Sequence, residues 1–172
     1  MRKAWVVLLV ALLVGTLTGS VGGVVGATEP RLTTQSIMIP AAAFIPSADT
    51  FEYLNNGWLI EAAPGAFVAP LHFPVPEVAI RKVTIYAYDH MSTGGQITDV
   101  CVYLARSAPA NAAVITQGEV CTFGSSATDP QIFSTTAISP RSVNTAVHGS
   151  YLWVVTPDGD TRFYGVKVTY SY

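Results

Sequence analysis

Residues 150–172 read SYLWVVTPDGDTRFYGVKVTYSY. Residues 151–156 are β-branched or aromatic except for Leu152. Such side chains suit a pleated surface and lose rotamer freedom in a helix. Pro157 fixes its own φ and cannot donate to a ladder, so the first strand stops there. Gly159 takes φ > 0 without steric cost, which lets a tight turn close. From Arg162 onward the residues alternate. Tyr164, Val166, Val168 and Tyr170 fall on one face, and Phe163, Gly165, Lys167 and Thr169 on the other. Period-two alternation marks a half-buried strand and pins its register, because a one-residue slip would expose the valines. The stretch is expected to close the chain as a β-hairpin. Asp158 and Asp160 are expected to be turn residues, since no EF-hand ligand run follows them.

The same signals recur upstream. Asn55-Asn56-Gly57 separates two short β-rich runs, residues 51–54 and 58–61, and predicts a second hairpin. Residues 41–44 have room for one helical turn between Pro40 and Pro46. Residues 66–73, interrupted by Pro70, predict an edge or bulged strand. Residues 78–89 form the strongest interior strand, with Val83, Ile85 and Ala87 on one face and Lys82, Thr84, Tyr86 and Tyr88 on the other. Residues 98–105 follow, with Val100, Val102 and Leu104 on the face opposite Asp99, Cys101 and Tyr103. Pairing these two strands antiparallel, apolar faces inward, would set Tyr86 opposite Cys101 and Tyr103 opposite Thr84. Gly118 marks a bulge in residues 113–123. In all, eight to ten short strands recur with turn signals roughly every 8–12 residues.

A single such sheet would leave one apolar face wet, so the expectation is all-β: two antiparallel sheets packed as a sandwich. Neither Trp58 nor Trp153 lies between the two Cys, which removes the immunoglobulin pattern and favours a jelly-roll-like topology.

The chain has 172 residues, 50% hydrophobic and 12% charged. Residues 1–27 look like a signal peptide: Arg2 and Lys3, an apolar core over residues 5–14, then small residues ending at Ala27. An uncleaved anchor is the rival, although the second half of the segment is rich in Gly, Ser and Thr. No Cys follows the apolar core, which argues against a lipid anchor. Residues 28–35 read as a polar lead-in and 36–172 as one domain. Cleavage after Ala27 removes two cations and no acid, leaving seven Lys and Arg against eleven acids, a net charge of about −4. That balance predicts no nucleic-acid partner and, after cleavage, no membrane partner. The expected location is secreted or cell-surface. In an oxidising compartment Cys101 and Cys121 are read first as a disulfide worth about 3 kcal/mol in the chain-entropy model. A reactive thiol or half a metal site is the alternative, but no His or acid is suitably spaced beside either.

Several phrases taken together resemble a known group. They are residues 39–44 (IPAAAF), residues 67–71 (FVAPL) before a Pro-rich step into residues 83–89 (VTIYAYD), and residues 165–170 (GVKVTY). The set resembles an uncharacterised group of secreted bacterial β-rich proteins, found singly after a signal peptide or as parts of larger surface proteins. The resemblance implies a bacterial, exported β-sandwich. It implies no activity, cofactor or site.

The residues offer little catalytic chemistry. His72, His90 and His148 form no sequence-local ligand pair. His148-Gly149-Ser150 lacks the strand-then-helix context of a nucleophile elbow. Glu52 and Glu61 flank the Asn-Gly turn and read as a solvated cross-strand pair, not a glycosidase couple. No catalytic, metal or cofactor-binding residue is predicted. One feature suits binding: Tyr86, Tyr88 and Tyr103, on the outward faces of two strands expected to be adjacent.

The leading expectation is an exported non-enzymatic module acting by surface contact, structural or adhesive. The alternative is a carbohydrate-binding module using exposed Tyr, with a small secreted hydrolase third. A glycan or a protein surface is the expected partner, and no oligomeric state is specified.

Overall fold

The computed structural model describes residues 32–48, 53–61, 65–89, 99–123, 130–157 and 161–172. The expected signal peptide (residues 1–27), residues 28–31 of the lead-in, Glu52, His90, Asp158, Gly159 and Asp160 lie outside the described residues. The described strands are β1 (Thr34–Pro40), β2 (Ile45–Pro46), β3 (Tyr53–Asn55), β4 (Leu59–Glu61), β5 (Gly65–Leu71), β6 (Glu77–Asp89), β7 (Cys101–Ala108), β8 (Ala113–Cys121), β9 (Gln131–Thr135), β10 (Ser142–Asn144), β11 (Gly149–Thr156) and β12 (Thr161–Ser171). A single helical turn among the described residues, Ala41–Ala43, lies between Pro40 and Pro46 as expected.

Two antiparallel sheets form a sandwich. The seven-stranded sheet runs β10-β6-β12-β4-β3, with β1 also on β12 and β9 also on β6. The five-stranded sheet runs β2-β5-β11-β7-β8. From β5 onward the chain changes sheet between β5 and β6, β6 and β7, β8 and β9, β10 and β11, and β11 and β12. These repeated crossings make the sandwich jelly-roll-like.

The Asn-Gly turn is a hairpin: β3 pairs β4 with Asn55 opposite Leu59, and Gly57 has φ of 94°. Pro70 is opposite Tyr151 on β11 and lies past the end of β2, which reaches only Phe67 and Val68. Its missing N–H therefore breaks no ladder there. The irregularity expected at Gly118 falls one residue earlier, at Gln117.

Three expectations are corrected. First, β11 and β12 do not pair. β11 lies between β5 and β7, while β12 lies in the other sheet against β6, β1 and β4. A four-residue connection reaches up to about 13 Å, and packed sheets stand about 10 Å apart, so it can cross the sandwich. Second, β6 and β7 lie in opposite sheets. Tyr86 is opposite Gly165 and Ile132, and Tyr103 is opposite Trp153 and Glu119. Alternation says which face of a strand is apolar, not which sheet the strand joins. Third, the alternation of β12 breaks at a bulge between Phe163 and Gly165. Phe163 is fully buried with Val166, Val168 and Tyr170, while Tyr164 is only half-buried. Gly165, with φ of 149°, makes the bulge possible.

The core is the meeting of the two inner faces. Val83, Ile85, Ala87, Phe163, Val166 and Val168 come from one sheet, and Phe67, Ala69, Val102, Leu104, Leu152 and Val154 from the other. Each fully buried large side chain among them contributes about 1.5–3 kcal/mol. Phe44, just after the helical turn, meets Phe163 edge-on with ring centroids 5.0 Å apart. Cys101 and Cys121 form the expected disulfide and stand directly opposite each other on β7 and β8.

Candidate ligand-binding surface

Tyr86 and Tyr88 point to the outer face of the seven-stranded sheet, two residues apart on β6, and both are half-buried. Tyr103, also half-buried, lies on the outer face of the other sheet. The three tyrosines therefore do not form one surface. Tyr88 and Tyr103 belong to two separate aromatic groups, built largely from residues the sequence did not single out.

On the seven-stranded sheet, Tyr88 is opposite Arg162, the second residue of β12. The Arg162 guanidinium carbon lies 5.3 Å from the centre of the Tyr88 ring and 5.7 Å from that of Trp58. Both distances are within reach of a cation–π contact. Trp58 in turn meets Tyr164 edge-on at 6.4 Å. The order across the face is Tyr88, Arg162, Trp58, Tyr164. Local sequence explains each placement. The Asn-Asn-Gly turn ends at Trp58 and delivers it beside Leu59, which pairs with Phe163. The β12 bulge then turns Tyr164 outward, toward Trp58. Trp58 is 37% exposed, so part of the indole remains available to a ligand. Its position in a turn, where a large apolar side chain has no core to enter, was the signal that could have marked it.

On the five-stranded sheet, Trp153 is opposite Tyr103, with ring centroids 5.6 Å apart and planes tilted by 42°. Val68 is opposite Trp153 on the other side, and Ile45 lies beyond Val68. Burial, and then the Glu119 carboxylate to which it donates, raises the Tyr103 phenol above its usual range. Glu119 is the only charged side chain among the described outward residues of this sheet. Its carboxylate accepts from the Tyr103 hydroxyl.

His72 and His148, far apart in sequence, line one groove of about 420 Å³ with Leu71, Phe73, Thr145 and Ser150. His148 Nδ1 lies 3.2 Å from the Asn144 carbonyl. No carboxylate is among the lining residues, so the groove brings together Ser and His without the acid of a triad. The one trio of described groups with metal-ligand spacing is Cys101, Glu119 and Cys121, and its two sulfurs are joined to each other.

No family model matches the chain, and no curated protein does. Several solved structures are similar in fold. The C-terminal CBM6 of LamC, a marine laminarinase from Zobellia galactanivorans, is similar with a TM-score of 0.45 at 10% identity, over 78% of this chain and 99% of that one. The GH26-CBM35 β-(1,4)-mannanase of Podospora anserina gives 0.42 at 11%, over 77% of this chain and 27% of that one. The CBM22-1–GH10 modules of Clostridium thermocellum xylanase 10B, complexed with xylohexaose, give 0.44 at 11%, over 80% and 28%. This chain thus spans about a quarter of the last two. Likeness at these scores is one of general architecture and carries no functional argument.

Proposed function

We propose that the chain is an extracytoplasmic, non-enzymatic module that works by surface contact, and that the contact is a glycan held on the outer face of the seven-stranded sheet. The observation that carries this reading is the stack of Arg162 between Trp58 and Tyr88, flanked by Tyr164. A sugar ring presents an apolar C–H face that stacks on an aromatic ring, and hydroxyls that accept from a guanidinium. Both halves of that recognition sit side by side here, Arg162 and Tyr88 on strands and Trp58 at the end of the turn before β4, so little ordering accompanies binding. The apolar start of the chain and the disulfide support export. In this reading residues 1–27 are the signal peptide, 28–35 a lead-in and 36–172 the module.

Affinity gel electrophoresis against a panel of soluble polysaccharides tests it. Trp58→Ala should weaken retention about tenfold, as loss of a stacking contact of ~1–1.5 kcal/mol requires. Trp153→Ala, on the opposite sheet, should leave retention unchanged. Loss in Trp153→Ala alone would move the site to the other face, and no retention by any polysaccharide would sink the reading.

A second reading rests on the five-stranded sheet. Its outer face combines an exposed Trp153 with Ile45, Val68 and a single charge. Such a face suits contact with a protein surface, structural or adhesive. Labelled protein should then lose its retention on bacterial cells on Trp153→Ala, and unchanged retention would remove this reading.

A further inference from the structure

The chain has few cations, and the fold gathers most of them. Residues 32–172 carry six Lys and Arg: Arg81, Lys82, Arg106, Arg141, Arg162 and Lys167. Four of the six belong to β6 and β12, the two central strands of the seven-stranded sheet. Ladder register places them. Arg162 is opposite Tyr88, Lys167 opposite Thr84, and Lys82 opposite Thr169. Arg81 is the extra residue of a bulge in β6, and its Nε donates to Ser171 Oγ at 2.8 Å.

Among the described residues, the neighbours of these cations on the face are neutral. Between the Arg162 and Lys82 rows the outward residues are Tyr86, Thr84, Tyr164 and Thr169, flanked by Ser36, Met38, Ile132 and Ser134 on β1 and β9. No acid is among these described residues. Glu77 lies at the far start of β6, beyond Arg81, with Asn144 Nδ2 3.5 Å away. Lys82 and Lys167 are exposed, and among the described residues no carboxylate is paired with either. Among the described residues, a chain of net charge −2 thus turns several cations and no acid to solvent on this part of the face.

Successive outward rows of an antiparallel sheet are about 6.8 Å apart. The Lys167 row is therefore roughly 14 Å from the Arg162 row, and the Lys82 row roughly 20 Å. The aromatic stack occupies one end of this strip and the lysines the other. We propose that the glycan bound here is an acidic one, a polymer of uronic acid or sulfated sugars. Its rings would stack at Trp58 and Tyr88, and its anionic groups would reach Arg162, Lys167 and Lys82. The proposal rests on the glycan reading above and adds the class of polymer. Spacing favours this ligand over nucleic acid. A duplex carries a charge about every 1.7 Å, which three separated cations do not match. An acidic polysaccharide carries about one charge per sugar, beside ring faces that are open to stacking on Trp58 and Tyr88.

The test is retention of the full chain in gels containing polygalacturonate or chondroitin sulfate, beside neutral xylan and mannan and single-stranded DNA. Polygalacturonate or chondroitin sulfate should retain the protein at least tenfold more strongly than the neutral polymers and the DNA, with retention falling as salt rises. Lys82→Gln with Lys167→Gln should lower that retention about tenfold and flatten its salt dependence. Lys82→Arg with Lys167→Arg should keep it, and an unchanged melting temperature in both pairs shows that the sheet is intact. Equal retention by neutral and acidic polymers, unaltered in the Gln pair, overturns the acidic class and leaves the glycan reading standing. DNA retained as strongly as the acidic glycans overturns it too, as indiscriminate charge attraction. No retention by any polysaccharide overturns both.

Discussion

Gly165 shows how one residue decides which side chains face outward. Its φ of 149° is one that L side chains rarely adopt, and a Cβ there would meet the Ile39 carbonyl oxygen at 2.6 Å. β1 can lie this close to β12 only because position 165 is glycine. Gly165→Ala should cost about 2–3 kcal/mol from overpacking and strained backbone together, read as a fall in the urea midpoint. It should also weaken glycan retention, because the bulge aims Tyr164 at Trp58. Asp89 anchors a buried polar network. It is fully buried and accepts from the Thr122 hydroxyl, which itself accepts from the Val100 amide at 2.9 Å. Gln131 brackets the Asp89 backbone, accepting from its N–H at 3.2 Å and donating to its carbonyl at 3.4 Å. Thr122→Val removes a donor from a buried carboxylate and should destabilise by about 2–3 kcal/mol. A change below ~0.5 kcal/mol in chemical denaturation would show that the contact is dispensable.

At the scale of the element, β7 and β8 form a hairpin whose outer strand is a sheet edge. The turn orders itself locally: Asn111 N–H donates to Ala108 O, and Asn111 Oδ1 accepts from Ala113 N–H. At the far end of the hairpin the Cys101–Cys121 bond closes the loop. The pairing was readable because the chain has two Cys, both in the part expected to reach an oxidising compartment. Reduction should lower stability by about 3 kcal/mol in the chain-entropy model, seen as a lower urea midpoint with reductant. An unchanged midpoint would mean that cross-strand packing alone holds the edge. β11 and β12 are the contrasting case. Each was read as a strand from its own residues, yet they separate into different sheets. Residue type carries strand propensity, whereas partner choice is set by which apolar faces meet across the core.

At the scale of the whole molecule, one half-buried and one buried tyrosine shape the response to alkali. Burial raises the phenols of both Tyr103 and Tyr170. Below pH about 10, the ordinary phenol value, both states of the chain keep these protons and nothing is lost. Above it the unfolded chain ionises first, so stability falls as pH rises through the raised folded values. Melting temperature should therefore hold between pH 8 and 9.5 and drop beyond about pH 10.5. A flat profile to pH 11 would show that neither hydroxyl is held neutral by the fold. The Tyr170 hydroxyl also donates to Gln35 Oε1 at 3.0 Å, tying the first strand to the last.

The two-sheet architecture, the Asn-Gly hairpin, the helical turn and the disulfide were all legible from residue type and spacing. These are local properties, and side-chain sterics express them wherever the segment lies. The candidate surface was only partly legible. Tyr86 and Tyr88 were placed outward by alternation, but Tyr103 was assigned to the wrong neighbour. Trp58, Arg162 and Tyr164 became a group only once β4, β12 and β6 were side by side. The grouping of the cations was not legible because a net charge has no geometry: Lys82 and Lys167 are 85 positions apart in the chain, yet only one row apart on the sheet. Sequence alone thus determined that the chain must fold as strands with one apolar face each, because a period of two admits nothing else. Tertiary structure decided which strands pair, and so which aromatic and charged groups share a surface, because burying all the apolar faces together is a property of the whole chain.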